Sequence, residues 1–180
     1  MSRLITAAAL LFALSLTTTP AHAISKELPA DIVTGVLPLA TFSIAYFKDD
    51  VEGQRQFLRS TAASLIVNTT LRVAFNETSW GERPNGSPYG FPSGHVGFAT
   101  SSAAFLQDRY GWRYGLPAYA VVGYIASVRV DTDHHRWRDV WAGALVSFGI
   151  SKLFVTPEHA TQIAPVIGPD FLGLRWQRSF

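Results

Sequence analysis

The chain has 180 residues, which is enough for one domain with a sizeable core. Its formal net charge is only +2 and no basic run is interleaved with aromatic residues, so nothing in the composition indicates a nucleic-acid partner. The sequence contains no cysteine, which excludes disulfide bonds and thiolate chemistry. Hydrophobic residues make up 48% of the chain and charged residues 16%, an apolar balance for a soluble domain.

The first residues have the pattern of a secretory signal peptide. Arg3 precedes an apolar run over residues 4–16, and the small-residue sequence Ala21-His22-Ala23 follows it. We predict cleavage after Ala23, with a retained first membrane helix as the alternative. In either case the chain is exported. The predicted division is therefore residues 1–23, a main domain at 24–160 and a tail at 161–180.

Five further apolar segments lie at 30–47, 57–75, 95–106, 115–128 and 140–155. Their lengths and their content of alanine, glycine and serine favour helices that pack closely on one another, so we predict an all-α bundle. Only the first segment approaches the roughly 20 apolar residues that a membrane span requires. Composition alone leaves a soluble bundle and a membrane-associated bundle open.

The tail from 161 to 180 differs from these segments. Gly168-Pro169-Asp170 is a turn signal between two short apolar runs, at 163–167 and 171–176. We predict a short C-terminal hairpin or a tail that packs on the surface.

Three polar blocks interrupt the apolar segments, and their residue types suit the binding of a phosphate. Arginine donates paired hydrogen bonds to phosphate oxygens and stays charged. A helix that begins after a Pro-Ser-Gly turn presents free N–H groups to an anion, and glycine lets the backbone approach it closely. Ser93 adds a hydroxyl donor, with a plain helix-capping role as the alternative. The blocks are Arg83-Pro84, Pro92-Ser93-Gly94-His95 and Arg129 with His135 and Asp139.

His135 and Asp139 are four residues apart, which places both side chains on one face if a helix begins near His135. A carboxylate can then hold one ring N–H of the imidazole and present the other nitrogen as a nucleophile. The neighbouring run 131–135 contains aspartates and histidines, so a divalent metal site is an alternative. We favour the interpretation without a metal, because the run lacks a recognised ligand spacing.

Taken together, the three blocks resemble the signature of the type 2 phosphatidic acid phosphatase superfamily. The resemblance covers residues 51–154, and the approach to the first block through Thr69-Thr70-Leu71-Arg72 is most similar to bacterial lipid A 1-phosphatases. It implies a six-helix bundle, counting the N-terminal run, and an enzyme that needs no cofactor. It also implies that His135 forms a phosphohistidine oriented by Asp139, and that His95 protonates the leaving oxygen.

The chain departs from the family pattern at two positions. Asn76 stands where the first block normally has a lysine, and we predict that Arg72 supplies the missing positive charge. Val128 stands where a serine normally precedes the arginine of the third block, which removes one hydroxyl donor. The predicted phosphate-binding residues are therefore Arg72, Arg83, Ser93, Gly94 and Arg129.

The charges of the loops favour a membrane topology. If the N-terminal run is the first span, the three blocks lie on one side of the bilayer and most loop cations lie on the other, as the positive-inside rule expects of cytoplasmic loops. Those cations are Lys48, Arg55, Arg109 and Arg113. We predict association with the inner membrane and a site that faces the periplasm, with a free periplasmic enzyme as the alternative.

The predicted function is a phosphatase that acts on a membrane lipid, because aromatic residues lie near the blocks. Lipid A at the 1-phosphate is favoured over undecaprenyl diphosphate and phosphatidylglycerol phosphate. The alternatives are a soluble acid phosphatase, a lipid phosphotransferase, a haloperoxidase and a non-catalytic lipid-binding protein. No protein partner is indicated. The aromatic residues are Trp80, Tyr89, Phe91 and Trp137.

Overall fold

The structure, a computed structural model, describes residues 26–158 with their side chains and the backbone of Thr161–Gly168 and Phe171–Arg178. It confirms a helix at each of the five predicted apolar segments. The helices are α1 (Glu27–Phe47), α2 (Val51–Phe75), α3 (Gly94–Tyr110), α4 (Trp112–Asp131) and α5 (Trp137–Phe154). The predicted signal peptide at 1–23 lies outside the described residues.

Most helices extend beyond the apolar segments that predicted them. The polar start of α2 forms because the Asp50 carboxylate caps it, accepting a hydrogen bond from Gly53 N at 2.9 Å. The polar stretch at 108–113, which lies between two predicted apolar segments, is helical on both sides of one residue. Asp108, Arg109 and Tyr110 belong to α3, and Gly111 alone, with φ of 85°, joins α3 to α4.

Helix α3 is the centre of the bundle and contacts each of the other four helices. Its small side chains allow this close packing, since Ala99, Ala103 and Ala104 are completely buried beside Val96 and Phe105. Hydroxyl and amide groups line the faces that α2 and α5 turn toward the core. The Ser64 and Ser147 hydroxyls lie 2.6 Å apart, for example, so these polar groups satisfy one another inside the bundle.

Helix α1 has two different faces. Thr34, Leu37 and Thr41 pack against the bundle. The opposite face is an exposed apolar stripe of Leu28, Ile32, Val36 and Leu39. By length and composition α1 is the one helix among the described residues that suits a membrane span. Membrane association therefore stays a prediction that this stripe makes physically reasonable.

The predicted C-terminal hairpin is present. Strand β1 (Thr161–Gly168) pairs antiparallel with β2 (Phe171–Arg178), and Ile163 stands opposite Trp176. Residues 169 and 170 of the predicted turn lie outside the described part. The fold class is thus an all-α bundle followed by a short hairpin, as the sequence predicted.

Candidate active site

The loop from 76 to 93 carries the first block and the start of the second between α2 and α3, and hydrogen bonds close it on itself. The Asn76 side-chain oxygen accepts a hydrogen bond from Tyr89 N at 2.9 Å. Gly90 N donates to Gly81 O at 2.6 Å. These bonds bring Gly90 beside Arg83, since a β-carbon at Gly90 would meet Arg83 N at 3.2 Å.

The second and third blocks meet because α5 approaches the start of α3 very closely. Ser93 N donates to Asp139 O at 2.9 Å. A β-carbon at Gly143 would lie 2.5 Å from Ser93 O, a distance that real side chains do not show. Gly143 is therefore required for this approach.

His135 lies just before α5 and its side chain is only 3% exposed. Its Nδ1 is 2.7 Å from the carbonyl oxygen of Gly90. A carbonyl only accepts hydrogen bonds, so Nδ1 carries the proton and Nε2 keeps its lone pair. This is the tautomer that a nucleophilic imidazole requires.

Asp139 does not make the hydrogen bond to His135 that its predicted orienting role requires. Its Oδ2 is 3.9 Å from His135 Nδ1, which is too long for a hydrogen bond, and it accepts from Arg136 N at 2.7 Å instead. The reason is that His135 precedes the helix rather than beginning it, so Asp139 caps the first turn of α5. The Gly90 carbonyl orients the imidazole directly, while the buried Asp139 carboxylate remains the nearest negative charge.

Four predicted phosphate-binding residues have a buried polar atom that makes no hydrogen bond. Buried donors are normally paired, because an unpaired one loses its water without compensation. Ser93 stands at the start of α3 but does not cap it, so its hydroxyl is available to a ligand. The unpaired atoms are Arg72 Nε, Arg83 Nε, Ser93 Oγ and Arg129 Nε.

Arg72 and Asn76 have different surroundings. Arg72 Nη1 lies 2.9 Å from the position that a β-carbon on Gly94 would take, so the guanidinium lies over the start of α3. Asn76 holds the loop by bonding Tyr89 N and the Glu77 carboxylate. The structure thus brings Arg72 to the predicted phosphate site and gives Asn76 a role in the loop.

The two histidines have lowered pKa values. Burial is the main cause for His135, whose pKa falls to about 3, and the charges of Arg83 and Arg72 lower it further. The pKa of His95 also lies below its ordinary value, through burial and then the charges of Arg72, Arg83 and His134. Both imidazoles therefore face the same group of cations, and His135 is neutral at physiological pH.

The sequence prediction missed one residue that touches two members of the site. Asp31 of α1 places Oδ1 3.4 Å from His95 Nε2, and the same oxygen forms an ion pair with Arg129 Nη2. An acidic residue inside an otherwise apolar segment was the available signal. Gly90 was also missed, because a backbone carbonyl leaves no mark in the sequence.

Two concave surfaces adjoin the site. One is a cleft of about 240 Å³ between α1, α2 and α3, lined by residues that include Thr34, Arg72 and His95. The other is an apolar groove of about 520 Å³ along α3, α4 and α5, which includes Val96, Trp137 and Trp141. Within residues 26–158 no group of three or more histidine and carboxylate side chains is placed to hold a metal ion.

Comparison with characterised proteins shows which enzymes this chain resembles. The lipid A 4'-phosphatase of Helicobacter pylori is 29% identical over 147 residues, which cover 76% of this chain and 74% of that protein. The lipid A 1-phosphatase of Helicobacter pylori is 31% identical over 103 residues, covering 55% of this chain and about half, 54%, of the relative. The chain is lipid A phosphatase-like. No protein-family model matches it.

A solved structure supports the same relationship at the level of the fold. The crystal structure of Aquifex aeolicus LpxE superposes with a TM-score of 0.61 at 16% identity, over 81% of this chain and 92% of that chain. At that identity the likeness shows a shared fold. Together with the two relatives, it confirms the resemblance to the type 2 phosphatidic acid phosphatase superfamily, and a phosphatase is the enzyme class supported.

Proposed function

We propose that this chain is a metal-independent phosphatase that removes a phosphate from lipid A by way of a phosphohistidine on His135. The observation that carries the proposal is the set of buried, unpaired donors gathered around a neutral imidazole. A bound phosphate would supply the acceptors that these donors lack. The arginines would also stabilise the charge that spreads over the phosphoryl oxygens in the transition state.

The reaction follows from the two histidines. His135 Nε2 attacks phosphorus while the bond to the leaving oxygen breaks, and His95 in its imidazolium form gives that oxygen a proton. The pKa of His95 is lowered in the protein alone, and the negative charge of a bound phosphate would raise it and favour the imidazolium. A water molecule then attacks the phosphohistidine and loses a proton to His95. Inorganic phosphate leaves and the Nε2 lone pair is restored. The net reaction consumes one ester and one water, and no metal ion takes part.

Asp139 and Gly90 divide the orienting role in this proposal. The Gly90 carbonyl fixes the tautomer through its 2.7 Å bond to Nδ1. The Asp139 carboxylate, 3.9 Å from Nδ1 and fully buried, stabilises the positive charge that the ring gains when Nε2 bonds to phosphorus. Both contributions increase in the transition state, which is what catalysis requires.

The surface around the site supports a lipid substrate. The apolar groove is lined in part by Val96, which follows His95 directly, and by Trp137, two residues after His135, so it would give acyl chains an apolar surface near the proposed phosphate site. Trp80 and Tyr89, which belong to the loop from 76 to 93, are also more than two-fifths exposed. A soluble phosphoester would leave these apolar surfaces unused.

The position of the phosphate on lipid A has two candidates. The similarity of residues 69–84 favours the 1-phosphate. The 4'-phosphate is the second candidate, because the relative that matches over the larger share of both chains is a lipid A 4'-phosphatase. We propose that the enzyme is exported and acts at the periplasmic face of the inner membrane.

The test uses the purified full chain in detergent with bisphosphorylated lipid A, and mass spectrometry of the product locates the lost phosphate. We expect loss of one phosphate, trapping of a phosphate on His135 after rapid denaturation, and the same rate in EDTA. Undecaprenyl diphosphate, phosphatidylglycerol phosphate and p-nitrophenyl phosphate serve as comparison substrates. Faster turnover of p-nitrophenyl phosphate than of every lipid would favour the soluble acid phosphatase, and binding without phosphate release would favour a lipid-binding protein.

A further inference from the structure

Asp31 introduces a negative charge into the group of cations that is proposed to bind phosphate. One oxygen of its carboxylate contacts both His95 Nε2 and Arg129 Nη2. In the proposed reaction, these are the groups that would face the leaving oxygen and a phosphoryl oxygen. A substrate phosphate bound between His95 and Arg129 would therefore occupy the place of the Asp31 carboxylate.

We propose that Asp31 is an internal competitor for the phosphate site, which substrate must displace and which therefore selects against small phosphate esters. The inference rests on the proposed function and adds a residue that sets specificity. Two features of the structure support displacement rather than a permanent ion pair.

The first feature is exposure. The Asp31 side chain is 48% exposed, so water screens this end of its ion pair with the buried Arg129 and can solvate the carboxylate when it is displaced. Asp50 and Arg109, at the other end of the bundle, form a pair in which both side chains are 8% exposed. The contact of Asp31 also leaves Arg129 Nε without a hydrogen-bond partner, which a tetrahedral phosphate with more oxygens could supply.

The second feature is the arrangement of acidic and apolar side chains on α1 near Asp31. Glu27 precedes Asp31 by four residues on the same face, and its Oε1 lies 3.7 Å from His134 Nδ1. Leu28 and Ile32 each follow one of the two acids in the chain, are more than half exposed, and belong to the apolar stripe that flanks the acids on the helix surface. A ligand with acyl chains can contact this apolar stripe, and the binding energy gained there can offset displacement of Asp31. A small phosphoester has no such contact.

The experiment measures binding of inorganic phosphate to the full chain by calorimetry, together with kinetics on p-nitrophenyl phosphate and lipid A. Asp31→Asn keeps the shape of the side chain and removes its charge, so we expect the Kd for phosphate and the KM for p-nitrophenyl phosphate to fall about tenfold. The KM for lipid A should fall less. Asp31→Glu should stay within threefold of the wild type in both.

Asp49→Asn is the matched control, because it makes the same change of net charge beyond the far end of α1. We expect no change in that variant. A phosphate Kd for Asp31→Asn within threefold of the wild type, or an equal tightening in Asp49→Asn, would overturn the proposal. A fall in kcat with an altered pH profile and an unchanged phosphate Kd would also overturn it, because that result identifies a residue that positions His95.

Failure of the proposed function gives a different result. If wild-type chain binds phosphate and Asp31→Asn binds it more tightly, but neither releases phosphate from lipid A, the competitor role stands and the lipid A activity does not. If lipid A is hydrolysed and Asp31→Asn leaves phosphate binding unchanged, the activity stands and the competitor role is wrong.

Discussion

Arg109 and Arg129 are both buried arginines, 8% and 4% exposed, and they lie near opposite ends of the bundle. Arg109 donates to both carboxylate oxygens of Asp50 and to the Thr156 carbonyl. Arg129 has an Nε with no partner, and its ion pair is with the half-exposed Asp31. The residue type is the same, but Arg109 has buried partners for its charge, whereas Arg129 keeps a buried donor without a hydrogen bond and a half-exposed partner.

This difference distinguishes a structural network at one end of the bundle from the proposed phosphate site at the other. The Asp50 network joins the turn after α1, the end of α3 and the segment after α5, and the Tyr110 hydroxyl donates a further bond to the same carboxylate at 2.9 Å. The cations at the other end cost free energy in the protein without phosphate, because Arg72 and Arg83 repel one another and each has a buried Nε that makes no hydrogen bond. Such a cost is reasonable when binding a phosphate removes it. The following substitutions test that division.

The largest expected effect is at the nucleophile. His135→Ala should abolish turnover, and His95→Ala should slow it by about 10²–10⁴-fold, the range typical of a general acid. Phosphate binding measured by calorimetry should persist in His95→Ala, because the arginines remain. Ordinary turnover in His135→Ala would show that the phosphohistidine mechanism is wrong.

The second prediction concerns the end of the bundle where Arg109 pairs with Asp50. Arg109→Leu leaves the buried Asp50 carboxylate without its main partner, so the free energy of unfolding should fall by about 3–5 kcal/mol. Turnover per folded molecule should not change. Arg55→Leu is the control, because Arg55 is exposed and pairs with Glu52 at 3.8 Å, and it should cost less than about 1 kcal/mol. If Arg109→Leu lowered kcat by more than the loss of folded protein explains, Arg109 would also contribute to catalysis and the prediction would be wrong.

The third prediction compares Arg72 with Asn76. Arg72→Ala should lose about 2–4 kcal/mol of transition-state stabilisation, as expected when one preorganised donor is removed. Asn76→Ala should mainly lower the melting temperature, since it removes the bond to Tyr89 N. Kinetics and melting curves of both variants decide the matter. Near-normal kinetics for Arg72→Ala with a crippled Asn76→Ala would reverse the two assignments.

The smallest expected effect is the pH dependence of stability. The pKa of His135 is about 3 in the folded state, below the ordinary value of 6.5, so the unfolded state binds a proton first as pH falls. Stability should be complete above about pH 6.5 and decline toward pH 3. At pH 5 the loss from this residue is about 2 kcal/mol. Melting curves at pH 7.5 and pH 5 should differ more for the wild type than for His135→Gln, and an equal difference would contradict the buried, neutral imidazole.

The sequence predicts the helices well because the interior faces of a small bundle need apolar and small residues at helical spacing. It misses their polar ends, such as 51–56, where a side-chain cap rather than periodicity begins the helix. Candidate site residues can be proposed from the sequence where a side chain would carry the chemistry, as for His95, Arg129 and His135, and their roles stay predictions. The hydrogen bond from His135 to Gly90 and the contacts of Asp31 depend on which distant segments meet, and local patterns do not contain that information.

The single-residue link at Gly111 has a consequence for how this protein can vary. Helix α3 begins next to His95 and α4 ends just after Arg129, so the two helices lead away from the site and back to it with no loop to absorb a change of length. One residue added within α4 would rotate everything after it by about 100° and carry Arg129 around the helix, away from the phosphate. The number of residues between His95 and Arg129 is therefore constrained. We expect this stretch to tolerate substitutions on its outer surface but not insertions or deletions.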